Sequence, residues 1–282
     1  GTEQYVGEDD LTEQNLDGIA RFLLARTERL VKDRVSHWRR DLSSPQAYDE
    51  SIGPNRERFR QIIGAVDARE PNPRVELIAT TDTPARVAET EAFTVLRVRW
   101  PVFGPITGEG FLLEPKSKPR ACVVALPDAD QSPEALIGLL PGVPAESQFA
   151  RRLAESGCRV LVPAMIDRRD EFSGNDLVGR FTNQPHREWI HRQAYQMGRH
   201  VIGYEVQKVL AGVDWFVHDM EDKGADGTCT IGVAGYGEGG LVALYSAAID
   251  PRIDAALVSG YFGPREGLWQ EPIYRNVWSL LT

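Results

Sequence analysis

One segment constrains the fold of this chain more than any other: Ile231-Gly232-Val233-Ala234-Gly235-Tyr236-Gly237-Glu238-Gly239-Gly240-Leu241. A continuous apolar run of this length reads as a strand buried on both sheet faces. It passes through a glycine-dense turn directly into the helical pattern of Glu238–Ile249, which is followed by an apolar strand, Ala255–Ser259. Strand, helix, strand in immediate succession demands a parallel pair joined by a helical crossover. Earlier segments repeat the theme. Ala121–Leu126 is another apolar run, a helix is expected near Ala145–Ser156, and Arg159–Pro163 is a further strand. Between Arg187 and Val217, Ile202, Val206, Val209, Val213 and Phe216 recur at three- and four-residue steps, the spacing of a core-facing helix stripe. The expected class is α/β, a mostly parallel sheet with flanking helices.

Ahead of this block lie extended segments at Val75–Ala79, Phe93–Trp100 and Gly108–Leu113, each bounded by Pro or Gly, which predict antiparallel strands. The first 70 residues differ. Leu16, Ile19, Leu23, Leu30, Val31, Val35 and Trp38 fall on one helical stripe; Ser43-Ser44-Pro45 breaks it, and a second helix is expected from about Pro54 to Arg69. Residues 1–70 are therefore read as a helical appendage packed on the 71–282 domain.

The turn itself fits two patterns. Gly235, Tyr236, Gly237, Glu238 and Gly239 match the nucleophile elbow G-x-S-x-G in everything but its serine, since Gly237 stands at the central place. Gly235 to Gly240 also spell G-x-G-x-x-G, the dinucleotide fingerprint. That reading requires an acid about twenty residues on, at the end of the next strand. The next strand ends Val258-Ser259-Gly260-Tyr261, and Asp254 stands at its wrong end. The elbow is the better match.

With the elbow, the stretches Leu244–Ala248, Asp250–Ile253 and Val258–Tyr261, and upstream Tyr204–Lys208 and Asp214-Trp215, resemble α/β-hydrolases of the acetyl xylan esterase and dienelactone-hydrolase-like group. The resemblance covers about residues 75 to 282. It implies the α/β-hydrolase fold and, in active members, hydrolysis of carboxylic esters by a Ser-His-Asp triad, with a carbohydrate or small ester as ligand. Two departures oppose activity. Gly237 has no hydroxyl, and none of the histidines (His37, His186, His191, His200, His218) follows it, although the triad order places the base last. Ala255–Ser259 resembles the sixth strand of that fold, so the strands that would carry acid and base are absent, and a protein partner or a continuing chain is expected to cover the open sheet edge. A final helix from about Leu268 to Leu281 would need the same cover for its apolar face.

The remaining candidate residues each have a plainer role. Pro127 and Asp128 follow Ala121–Leu126 and are expected to line the oxyanion loop, where a carboxylate would repel an oxyanion. Asp128 and Asp130 could ligate a cation, but such a pair more often closes a turn. Glu238 would lend its backbone N–H to an oxyanion hole while its side chain serves as a favourable charge at a helix N-terminus. His186 and His191, five apart, miss the spacing of a metal-binding helix face and read as surface or packing residues. Trp189, Trp269 and Trp278 read as core aromatics ahead of sugar stacking. No motif calls for a cofactor or a metal. The cysteines, Cys122, Cys158 and Cys229, read as small buried hydrophobes.

Composition narrows the partners. A net charge of −9 over 282 residues disfavours nucleic acid, and no apolar run reaches the roughly 18 residues of a membrane span. The start Gly1-Thr2-Glu3 is what a removed leader or a cleaved tag leaves, so a secreted, periplasmic or cytoplasmic location stays open. The main expectation is a catalytically degenerate hydrolase-like binding or scaffold module. An ester hydrolase using an unconventional nucleophile or a longer chain is the alternative, and a nucleotide-binding protein comes third.

Overall fold

The computed structural model describes residues 1–2, 10–222 and 229–277. Helix α1 (Leu11–Asp33) starts where Asp10 caps the amides of Thr12 and Glu13. Helix α2 (Pro45–Ile62) starts nine residues earlier than its apolar pattern implies. Ser44 accepts the Ala47 N–H, and Pro45 stands at the first turn, where its missing N–H is harmless. Pro54 is therefore inside the helix, on its exposed side. Gly64, at φ 71°, ends it well before Arg69.

Then follow β1 (Glu76–Leu77), β2 (Arg86–Glu89), β3 (Phe93–Phe103), β4 (Ile106–Pro115) and β5 (Cys122–Leu126). Next come α3 (Pro133–Leu136), α4 (Phe149–Glu155), β6 (Arg159–Pro163) and a small hairpin of β7 (Gly174–Asn175) and β8 (Arg180–Phe181). The expected helical region 187–217 divides into α5 (His186–Gln196) and α6 (Val201–Asp222), parted by Gly198 at φ 66°. The chain continues through β9 (Ile231–Tyr236), α7 (Glu238–Ile249) and β10 (Ala255–Ser259). Thr228, expected to open β9, lies outside the described residues.

The sheet runs β1-β3-β4-β6-β5-β9-β10, with β2 paired to β3. Strands β6, β5, β9 and β10 are parallel to one another, and the β1–β4 flank is antiparallel. Alternate residues divide between two cores, as a period of two requires. Val98, Leu112, Val124 and Leu161 join the α6–α7 side, where Val206, Val209, Val213 and Phe216 are fully buried. Val95, Leu113, Val160 and Val162 join the α3–α4 side. Each such side chain contributes about 1.5–3 kcal/mol by leaving water. This is the expected α/β architecture of a sheet between helices. Strand β10 pairs only with β9 among the described residues, and Leu257 on it is 59% exposed.

The two appendage helices differ. α2 packs on α7, with Phe59 edge-on to Tyr245 at 4.9 Å. The linker after it is pinned to α6 by Arg69–Asp214 at 2.8 Å and Arg199–Asp67 at 2.7 Å. α1 instead leaves Leu16 and Ile19 exposed, and only its second half is covered, with Thr27 buried and Leu23 and Leu30 half-buried on the same face.

Corrections also fall at the other end. In place of a continuous helix from Leu268, two 3-10 turns, Arg265–Gln270 and Ile273–Arg275, are separated at Pro272, which cannot donate to a helix ladder. The rest of that expected helix, 278–282, lies outside the described residues. No described helix is long and apolar enough to cross a membrane.

Candidate functional site at the turn between β9 and α7

β9 delivers the chain to Gly237 at φ 58° and ψ −120°, a conformation that L side chains rarely adopt. Its N–H bonds the Ser259 carbonyl at 2.9 Å, and its own carbonyl takes the Leu241 N–H, so α7 starts without delay. Gly235 is required for a different reason: a Cβ there would collide with the Gly239 carbonyl as the helix folds back over the strand. The backbone thus makes a sharp strand-to-helix elbow whose central residue carries no side chain.

The vacated space is filled. A Cβ added at Gly237 would run into the carboxylate of Asp128, which arrives from the loop after β5. Asp128 Oδ1 accepts the Glu238 N–H at 2.7 Å. That amide belongs to the residue after the nucleophile position, the donor an oxyanion would need. The second expected contributor fares no better. Pro127 has no N–H, and the Asp128 N–H points to Gln131 Oε1 at 3.3 Å. Asp128 therefore lies over Gly237 with its carboxylate on the Glu238 N–H.

An arginine holds it there. Arg168 grips Asp128 through both terminal nitrogens, at 3.1 and 3.3 Å, and reaches Asp130 Oδ2 at 2.5 Å and the Tyr274 hydroxyl at 3.2 Å. Burial opposes ionisation of Asp128, but Arg168 and the Glu238 amide outweigh it and hold the carboxyl below its ordinary range. The cation of the Asp128–Asp130 pair is this guanidinium.

Glu238 departs from expectation. It stands in the first turn of α7, but its side chain is fully buried, lying 3.2 Å from Arg275 Nε and 3.5 Å from both Arg187 and Arg168. Arg187 is itself fully buried: it donates to the Ile166 carbonyl at 2.8 Å and pairs with Glu205 at 3.4 Å. Glu205 also accepts the Ile166 N–H at 2.8 Å and faces Lys208 at 3.6 Å. A charged chain thus runs from Asp130 under the turn to Lys208. A helix-terminus charge would be solvated; this one is enclosed because arginines from three other segments close over it. Arg168, Arg187, Glu205 and Arg275 gave no signal in the sequence. They come from loops and helices far apart in the chain, and charge burial has no periodicity.

The histidines have other partners. His186 Nδ1 meets Asp167 at 2.5 Å while its Nε2 accepts the Phe172 N–H. His191 lies edge-on to His200 at 4.6 Å. His200 is buried, takes the Ile202 N–H on Nδ1 and contacts the Asn276 carbonyl. Burial, reinforced by His191, pushes its pKa down to about 4. None of these bonds reaches Gly237. Trp189 is half-buried and Trp269 is 54% exposed, so Trp269 is not core; Trp278 lies outside the described residues.

The turn, the parallel block and the loops around them have known counterparts. A Bacteroides fragilis protein classed as an acetyl xylan esterase superposes with a TM-score of 0.57 at 18% identity, over 89% of this chain and 62% of that one. A glucuronoyl esterase from Solibacter usitatus gives 0.47 at 14% identity, over 76% and 59%. An acetyl xylan esterase from a Paenibacillus strain gives 0.41 at 16%, over 79% and 62%. The chain thus spans about three fifths of the esterase structures it matches. At these identities the likeness concerns the fold alone, the α/β-hydrolase fold. No curated protein sequence matches the chain. The sequence pattern of dienelactone hydrolases, however, matches residues 109–274, more than half of the chain and every residue of the site just described except Arg275. The chain belongs to the dienelactone hydrolase family.

Proposed function

We propose that this chain is a catalytically degenerate member of its family, serving as a binding or scaffold module. One observation carries the reading: the Asp128 carboxylate takes both the space above Gly237 and the Glu238 N–H. An ester carbonyl brought to the turn would find no hydroxyl and no free donor. It would meet a negative charge where its own negative charge must develop, which raises the barrier that an oxyanion hole exists to lower. A carbohydrate or small ester would be held, not cleaved.

The dinucleotide reading is opposed by the same carboxylate. A pyrophosphate needs the amides at the helix N-terminus, and Asp128 already sits on the first of them with its charge repelling phosphate.

The test is steady-state hydrolysis of 4-nitrophenyl acetate by the full chain. Binding and residual donors alone leave at most about 10³-fold over water, and the expected rate is indistinguishable from buffer. Turnover near one per second by pure protein would instead support the active-hydrolase reading, with a nucleophile other than residue 237.

A further inference from the structure

A second site lies at the far end of α7, roughly 15 Å from Gly237 along the helix at 1.5 Å per residue. Where α2 crosses the C-terminal turns of α7, at Ala247 and Ala248, the appendage lines a cavity of about 700 Å³ that is open to solvent. Its wall carries Arg34, Arg40, Arg56 and Arg58 together with Trp38 and Tyr48, and no acidic residue lines it. In a chain of net charge −9 this is a local inversion of sign.

Few of these charges are spoken for. Arg56 has Asp49 at 3.0 Å through one terminal nitrogen. Among the described residues, Arg34, Arg40 and Arg58 pair with no carboxylate. The Nε atoms of Arg34 and Arg56 are buried without a hydrogen-bond partner. The guanidinium groups that an entering acceptor would meet are those of Arg34, Arg40 and Arg58, which line the cavity with no carboxylate partner among the described residues. Arg40 lies 4.3 Å above the Trp38 ring, and Trp38 is 44% exposed. The wall is held in place: Asn55 donates to the His37 carbonyl at 3.1 Å, and Ser51 Oγ accepts the Asp41 N–H at 3.0 Å. Both bonds tie the segment after α1 to α2.

We infer that this cavity binds a small aromatic anion, a planar ring bearing a carboxylate or a phosphate. Guanidinium forks recognise either oxyanion by paired N–H donors, and the indole and phenol rings supply stacking area for the body. The volume fits a small molecule. A polyanion is disfavoured, because the rest of the surface would repel it. The site does not depend on the reading of the elbow, which could fail without touching it.

Isothermal titration of the full chain decides the matter with four probes: 1-naphthyl phosphate, 1-naphthoate, 1-naphthol and inorganic phosphate. At least one aromatic anion is expected to bind with a Kd in the micromolar range, about tenfold or more tighter than naphthol or inorganic phosphate. Which anion wins tells phosphate from carboxylate. Arg58→Ala, an exposed change that leaves the fold alone, and Arg34→Lys, which keeps the charge but loses the fork, should each weaken it by about tenfold. Trp38→Ala should do the same. The inference is overturned if neither aromatic anion binds at about 1 mM, if naphthol or inorganic phosphate binds as tightly, or if the arginine variants bind the anion unchanged.

Discussion

At the N-terminal end of α7, five carboxylates (Asp128, Asp130, Glu205, Glu238 and Glu271) pair with four cations (Arg168, Arg187, Lys208 and Arg275), and the centre of the turn is a glycine. At its C-terminal end, four arginines face an open cavity that no acidic residue lines, and Arg56 alone of the four pairs with a carboxylate, Asp49, among the described residues. The same helix thus has a sealed polar end and an unsealed one. The sealed end is where this fold performs chemistry; the open end is built from the appendage, which lies outside the family match. Buried charge whose groups all face opposite charge adds rigidity, although Arg187 Nε, Arg275 Nε and Glu238 Oε1 lack a hydrogen-bond partner within that cluster. On the two proposals made above, ligand binding would belong to the junction with the appendage and a structural role to the elbow.

The contrast breaks most visibly at Arg187. It is fully buried between Glu205 and Glu238, so Arg187→Leu strands two carboxylates away from water. Removing one partner of such a pair typically destabilises by about 3–5 kcal/mol. Arg58→Ala at the open end should stay within about 0.5 kcal/mol, as surface changes do. Urea unfolding of both variants measures the difference. A loss under about 1 kcal/mol for Arg187→Leu would mean that the sealed end is not sealed in solution.

Acid should open the sealed side next. His200 lies against His191 and Arg187 and has its pKa pushed from 6.5 down to about 4 by burial first and by those neighbours second. Its folded-state pKa is below its unfolded value, so the unfolded chain binds the extra proton between the two. Stability is then full above about pH 6.5 and falls as the pH drops towards 4, by up to about 3 kcal/mol at 1.36 kcal/mol per unit. Urea midpoints at pH 7 and pH 4.5 test this. His200→Gln should flatten the slope, and an unchanged slope would remove His200 from the account.

How much of this could be read beforehand depended on the kind of signal. β6, α7 and β10 fall where the sequence placed them, because an apolar run or a three-to-four spacing acts within a few residues. Gly237 and the Asp128 loop were legible because the turn has a fixed pattern. Arg168 and Arg275 were not, since what makes them part of the site is contact with residues far along the chain, Arg168 with Asp128 and Tyr274 and Arg275 with Glu238. Glu238 was misplaced for the same reason: the rule for a first-turn carboxylate presumes solvent, and the arginines that exclude it come from elsewhere. The stripe on α1 shows the opposite failing. Spacing predicted a helix but could not say whether any surface faces it.

Restoring the serine should weaken the fold without waking chemistry. Gly237→Ser puts a Cβ in a sparsely populated conformation, at roughly 1–3 kcal/mol, and drives it against Asp128. Adding Asp128→Ala removes the obstruction, so the double change should be less destabilising than the sum of its parts, by about 0.5–3 kcal/mol. A fluorophosphonate probe should label neither protein, because no histidine bonds within reach of the turn to take the serine proton. Labelling at the rate of a working serine hydrolase would return the elbow to service.

The smallest effect belongs to the far side of the appendage. Leu16 and Ile19 on α1 are 63% and 59% exposed, and neither belongs to either core. If the first half of α1 stands off the domain as the structure describes, Leu16→Gln and Ile19→Gln remove almost no buried area, and each should shift stability by no more than about 0.5 kcal/mol. Phe59→Ala on α2, which takes an aromatic edge away from Tyr245, should cost about 3–5 kcal/mol if the ring is as well packed as a core phenylalanine, and less in proportion to its exposure. The pair of measurements separates the helix that is docked from the half of α1 that is not. A loss above about 1 kcal/mol at Ile19, growing with protein concentration, would show the stripe buried between two copies of the chain. The open end of α7 would then have a second wall.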